Sequence, residues 1–143
     1  MLTSKGAKIL FAFFKANKSL KISSISLHRN KLDDDCLKPL GELLEYNQKI
    51  EVVYVGGNKI TDKGIELFIP YISGNSALKS FGISYCNKIT KASFHLLLGL
   101  VKNSNVEKVH LDGTQIDEKQ FVVILTVNEI VNGSLSKISM GDW

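Results

Sequence analysis

Apolar residues recur along this chain in a fixed template: one apolar position, two free positions, a second apolar position, one free position, and a third. Five stretches fit it: Ile22, Ile25, Leu27; Ile50, Val53, Val55; Leu78, Phe81, Ile83; Val106, Val109, Leu111; and Leu135, Ile138, Met140. Their first members, Ile22, Ile50, Leu78, Val106 and Leu135, recur at a nearly constant interval of about 28 residues, and an interval that regular marks one structural unit used repeatedly. Each stretch is too short for a helix, and its inner apolar pair alternates as a half-buried strand requires. The gap between stretches accommodates a helix of about 12 residues with one apolar side. The apolar sides are Leu37, Leu40, Leu44; Ile65, Phe68, Ile69, Ile72; Phe94, Leu97, Leu98, Val101; and Phe121, Ile124, Leu125, with Asn128 at a frayed end.

The helix boundaries carry their own signals. Thr61 and Thr90 are placed to cap helix starts, and Asp33–Asp35 and Asp117 supply acceptors and negative charge at the others. Asn47, Asn75 and Asn103 recur near helix ends, where an αL residue or a polar C-cap is expected. Pro39 falls near a helix start, where a missing N–H matters least, whereas Pro70 lies deeper and is expected to kink or shorten its helix. Residues 4–19 predict a further helix burying Ile9, Leu10, Phe13 and Phe14 and capping the first strand.

Three residues after each strand comes a small polar residue, Asn30, Asn58, Cys86 or Thr114, followed by Leu32, Ile60, Ile89 or Ile116. A buried asparagine amide there can satisfy loop N–H and C=O groups that have left the ladder. Over residues 20–143 this arrangement resembles the leucine-rich-repeat family, whose strand signature is L-x-x-L-x-L-x-x-N/C-x-L. The long helical units, with Ile60-Thr61-Asp62-Lys63-Gly64-Ile65 and Cys86-Asn87-Lys88-Ile89-Thr90, are similar to the ribonuclease-inhibitor-like subclass. The resemblance implies an α/β fold: a right-handed leucine-rich-repeat solenoid in a horseshoe arc, with a concave parallel β-sheet, convex α-helices and about five repeats. The expected organisation is one domain over 1–143. It comprises an N-terminal capping helix (1–19), repeats at 20–47, 48–75, 76–103 and 104–132, and a partial last repeat at 133–143.

Composition narrows the setting. Of 143 residues 44% are hydrophobic and 22% charged, a globular balance, and no apolar run is long enough to span a membrane. Two cysteines do not make a disulfide framework, which points to a reducing, cytoplasmic setting. The net charge of +4 is uneven: seven of the 18 basic side chains and none of the 14 acidic ones fall in residues 1–32. An organelle presequence or a membrane-surface helix would share that start; a terminal helix with solvated lysines is the expectation. The apolar run Ile9–Phe14 is too short for a secretory signal and is closed by Lys15.

Little in the chain points to chemistry. There is no phosphate-binding glycine loop and no zinc spacing, so no cofactor and no metal are expected. Cys86 occupies the asparagine position, and Cys36 occupies a core position where other units have Gly64, Ser93 and Gln120. His28 and His110 fall on one sheet face about 15 Å apart at ordinary strand spacing, too far to share a metal or proton. His95 falls beside a helix's core stripe. Ser84, His110 and Asp112 offer the residue types of a triad without its pocket, so the chain is expected not to be an enzyme. The face is mixed in charge, which argues against nucleic acid.

Protein binding is therefore the expected function. Between the apolar strand positions the concave face presents Ser24, Ser26, His28; Val52, Tyr54, Gly56; Ser80, Gly82, Ser84; Lys108, His110, Asp112; and Lys137, Ser139, Gly141. Candidate partner contacts are His28, Arg29, Tyr54, Tyr85, Lys108, His110 and Asp112, because aromatic and arginine side chains most often anchor interfaces. The sequence stops at Gly141-Asp142-Trp143 after a strand. That opens three alternatives: Trp143 covers the edge, a second copy pairs with it, or the chain continues in a longer protein. Self-assembly through this edge is one alternative function, and regulation of a small GTPase or another enzyme is a weaker one.

Overall fold

Each apolar stretch forms a three-residue strand, because only its central residues alternate between core and surface. The computed structural model describes residues 1–117 and 137–139. In it β1 (Ser24–Ser26), β2 (Val52–Tyr54), β3 (Ser80–Gly82), β4 (Lys108–His110) and β5 (Lys137–Ser139) form a parallel sheet in that order. Ile25 pairs in register with Val53, Val53 with Phe81, Phe81 with Val109, and Val109 with Ile138. These are the sequence intervals themselves. Parallel pairing requires a crossover between neighbours. The crossovers contain α2 (Leu37–Tyr46), α3 (Asp62–Ile72) and α4 (Phe94–Asn103), and α1 (Ser4–Ala16) precedes β1.

The helices pack in chain order, α1 on α2, α2 on α3 and α3 on α4. The core fills the space between them and the sheet, with Ile25, Val53, Phe81 and Val109 meeting Leu40, Leu44, Ile65, Phe68 and Leu97. Phe68 and Phe81 join the two layers with ring centroids 5.1 Å apart. The apolar sides of α2 and α3 are buried as expected. In α4, Leu100 is buried and Val101 only half-buried. The expected helix at Phe121, Ile124, Leu125 and Asn128, and the positions of Gln120, Met140, Gly141, Asp142 and Trp143, lie outside the described residues.

Side chains that reach from one unit to the next hold the stack. Asn58 is buried; its amide N–H groups donate to the carbonyls of Leu27, Val55 and Gly56, and its Oδ1 accepts from the Asn30 and Leu32 backbone N–H. Cys86, one unit on, donates more weakly from Sγ to the Val55 carbonyl at 3.6 Å. At the opposite end of the strands Asn75 Nδ2 donates to the Leu44 carbonyl, and its Oδ1 accepts from Ala77 and Leu78 N–H. Asn47 plays the same local part with Lys49 and Ile50. Its φ is −100°, so it is a polar C-cap and not an αL residue.

The helix starts differ from expectation. Asp33 and Thr90 cap 3-10 turns at Asp34–Cys36 and Lys91–Ser93 that lead into α2 and α4. Thr61 does not cap α3 with its side chain. Its hydroxyl and N–H instead donate to Asp34 of the preceding unit, at 2.6 and 2.8 Å. Thr90 does the same to Asp62 at 2.7 and 2.9 Å, and Ser93 Oγ adds a bond of 2.6 Å. Burial opposes ionisation of Asp62, but the Ser93 and Thr90 donors outweigh it and hold the carboxyl below its ordinary value.

The stripe expected on α1 and the shortening expected at Pro70 both differ in the structure. Helix α1 buries Ser4, Ala7 and Phe11; Leu10 and Phe14 are half-buried, and Ile9 and Phe13 are 67% and 54% exposed. Its rotation is set by its start: Leu2 N–H donates to Asn30, the Leu2 carbonyl accepts from Lys31 N–H, and Ser4 Oγ donates to Asp33 at 2.6 Å. Positions 7 and 11 follow Ser4 on that same side at helical spacing. Pro70 does not shorten α3, which runs 11 residues against 10 for α2 and for α4. Pro70 and Glu66, whose carbonyl loses its helical donor, are both exposed, so water reaches the gap.

Asn58→Ala leaves buried carbonyl and N–H groups unpaired across two units and should cost about 3 kcal/mol in urea denaturation. A loss below about 1 kcal/mol would remove the side-chain ladder as a stabilising element. Because the folded-state pKa of Asp62 is depressed, its contribution is present above the ordinary 3.8 and is lost as pH falls through the folded value. Asp62→Asn should therefore be less stable than the parent at neutral pH, with the gap closing below pH 3.8 in acid titrations followed by circular dichroism.

Candidate protein-binding face

Strand residues that alternate with the core positions lie on the sheet face away from the helices. On this face large side chains lean across to the following unit and rest on a glycine there. A Cβ at Gly56 would meet His28 Nδ1 at 3.1 Å, one at Gly57 would meet Arg29 Cγ at 2.9 Å, one at Gly82 would meet Tyr54 Cδ1 at 2.6 Å, and one at Gly113 would meet Tyr85 Cδ1 at 2.5 Å. In each pair the glycine stands one repeat interval after the side chain that rests on it.

Tyr54 consequently lies flat and half-buried rather than standing clear of the face. Its hydroxyl bonds Ser80 Oγ at 3.0 Å, and Ser80 Oγ bonds His110 Nε2 at 3.3 Å. The Tyr54 ring meets His110 edge-on at 5.3 Å and His28 at 5.4 Å. The two histidines thus flank one ring, closer together than strand spacing alone implied. Ser80 and Gly82 are buried beneath this layer and are not open polar surface. Burial lowers the His110 pKa from 6.5, opposed by Asp112 and helped by Lys108 and His28.

The rim of the face has a second regularity. Arg29, Gly57, Tyr85 and Gly113, each one interval apart, all have positive φ, at 51°, 67°, 60° and 68°. Each of the four strand exits among the described residues therefore takes a left-handed residue. Glycine meets that demand freely, whereas Arg29 and Tyr85 meet it at a cost of order 1 kcal/mol each. Arg29 is exposed and Tyr85 is 61% exposed, so the strained backbone holds both side chains at the surface.

Lys108 is exposed on β4, paired in register with Lys137. Asp112 Oδ2 accepts from Ser84 Oγ at 3.3 Å, and its buried Oδ1 has no partner among the described residues. The serine thus bonds the acid directly while His110 bonds Ser80, which is not the serine–histidine–acid order of a triad. His95 lies exposed on α4, away from this face. Burial pushes Cys36 up to about 11 and also raises Cys86, so both are neutral thiols in the core. The structure thus joins His28, Tyr54 and His110 in one cluster and sets Arg29 and Tyr85 along its rim. The sequence placed Ser80, Gly56 and Gly82 on this face but not their pairing with the large side chains, although the one-interval offset from each large side chain to its glycine was there to be read.

Comparison with known proteins places this geometry among repeat proteins at low identity. No family model matches the chain. A human protein named "NACHT, LRR and PYD domains-containing protein 13" is 25% identical over 100 residues, 70% of this chain and 9% of its own length. Rho GTPase-activating protein gacW of Dictyostelium discoideum is 27% identical over 124 residues, 81% of this chain and 11% of its own. A protein phosphatase 1 regulatory subunit 37 homolog of Caenorhabditis briggsae is 24% identical over 150 residues, 99% of this chain and 16% of its own. The chain thus spans a small part of each relative. Among solved structures, leiomodin-1 actin-binding site 2 superposes with a TM-score of 0.72 at 14% identity, over 93% of this chain and 78% of that one. That likeness is one of fold. The chain is similar to leucine-rich-repeat proteins.

Because burial depresses the His110 pKa, NMR titration should find it protonating below 6.5. Tyr54→Ala uncovers the imidazole and should move its midpoint upward, toward 6.5. An unchanged midpoint would mean that the tyrosine does not shield it.

Proposed function

We propose that the chain is a right-handed leucine-rich-repeat solenoid of the ribonuclease-inhibitor-like kind. Its single domain has about five repeats over 1–143, and it binds a partner protein on its concave face. It acts by holding that partner, without catalysis or a cofactor, in the cytoplasm. The contact residues are His28, Arg29, Tyr54, Tyr85, Lys108, His110 and Asp112. The observation that carries this reading is Tyr85: a large ring 61% exposed, held at φ 60° where the equivalent residues Gly57 and Gly113 need no strain. The left-handed backbone there costs of order 1 kcal/mol, and an exposed, preorganised aromatic is a frequent interface anchor. The names of the relatives, a phosphatase regulatory subunit and a Rho GTPase-activating protein, favour a regulatory setting for the partner.

Affinity capture with the wild-type chain and with Tyr54→Ala/Tyr85→Ala tests the reading. A partner held by the first and weakened by about 2 kcal/mol or more in the second places the contact on this face. Equal recovery of the same proteins by both chains would rule the face out. Tyr85→Gly separates function from folding: relief of the left-handed strain offsets the lost ring contact with Gly113, so stability should change by no more than about 1 kcal/mol while binding weakens. A variant that loses stability and keeps its partner would assign Tyr85 to structure.

A further inference from the structure

At the end of the molecule away from the strand face, α1 and α2 leave apolar surface beside unpaired positive charge. Ile9 and Phe13, one turn apart on α1, are exposed, and so is Tyr46 at the end of α2, at 69%. Between the two helices lies a cavity of about 170 Å³, with apolar walls from Phe14, Leu43 and Tyr46 and with Lys15, Lys18 and Lys49 at its mouth. Lys15 Nζ sits 4.9 Å from the centre of the Tyr46 ring. Among the described residues neither these lysines nor Lys5 and Lys8 form an ion pair, and Glu42 and Glu45 on α2 do not reach them. Residues 1–32 contain no acid that could.

We propose that this end binds an acidic peptide segment of a protein partner, with one apolar side chain seated in the cavity and flanking carboxylates over Lys15, Lys18 and Lys49. The charge calls for an anionic occupant, and the unpaired lysines gain from it what they lack inside the chain. The shape selects a peptide over a bilayer. The recess is lined by the apolar side chains of Phe14, Leu43 and Tyr46, and its volume is that of one large aliphatic or aromatic side chain, which a protruding residue fills and a flat lipid surface does not. This surface is built from α1 and α2 and does not depend on the strand face or its partner.

The test is fluorescence anisotropy with a labelled octapeptide of aspartate and glutamate carrying one central phenylalanine. The full chain should bind it at low salt, lose affinity as salt rises, and show NMR shifts at Phe14, Leu43 and Tyr46. Lys15→Glu/Lys18→Glu/Lys49→Glu, all at exposed positions, should weaken binding about tenfold. Replacing the peptide's phenylalanine by glycine should weaken it further. Binding left intact in the triple variant, or shifts confined to other surfaces, overturns the proposal. So does a chain that ignores the peptide but binds phosphatidylserine vesicles through the same lysines.

Discussion

Strands of three residues make few ladder bonds, so adjacent units depend on side chains that reach across one interval and satisfy a neighbour's backbone. Asn58 does this at the strand exits, Asn75 at the strand entries, and Asp34 and Asp62 at the helix starts, each bonding groups of the adjacent unit. Asn58 and Asn75 are buried, so water cannot replace their partners there and those two cross-links are costly to lose. The constant interval follows from the same requirement. A unit of another length would carry its amide past the carbonyls it must meet. The unit containing Cys86 keeps that interval but has one extra residue in the turn before Ile89; there a thiol, which forms a weaker bond, replaces the amide.

Regular stacking also shapes the strand face. Since every residue there has a counterpart about 4.8 Å away on the next strand, a large side chain finds room only by leaning over a small one. Tyr54 over Gly82 and Tyr85 over Gly113 are the clearest cases. The outcome is a low, glycine-floored layer of rings, not a row of projecting anchors. His28 and His110 end up on either side of the Tyr54 ring, although their strands are three spacings apart. The left-handed strand exits then place Arg29 and Tyr85 at the rim.

Much of the architecture was legible in residue spacing alone. The strand positions, their register, the apolar sides of α2 and α3, and the polar residue at each strand exit all follow from a period, and a period is a property of the linear chain. The finer geometry was not. The apolar residues of α1 form two candidate stripes, and Leu2 and Ser4, bonded to Asn30 and Asp33, select the one containing Ala7 and Phe11. Thr61 has the makings of a cap, yet Asp34 of the preceding unit takes its hydroxyl. Pro70 has the makings of a helix breaker, yet the carbonyl it strands faces water. Ring placement on the strand face depends on which neighbour is glycine in three dimensions. Local spacing determined which residues are inside; only the meeting of successive units decided rotation, hydrogen-bond partner and ring direction, because those are settled by competition among groups that the chain itself keeps far apart.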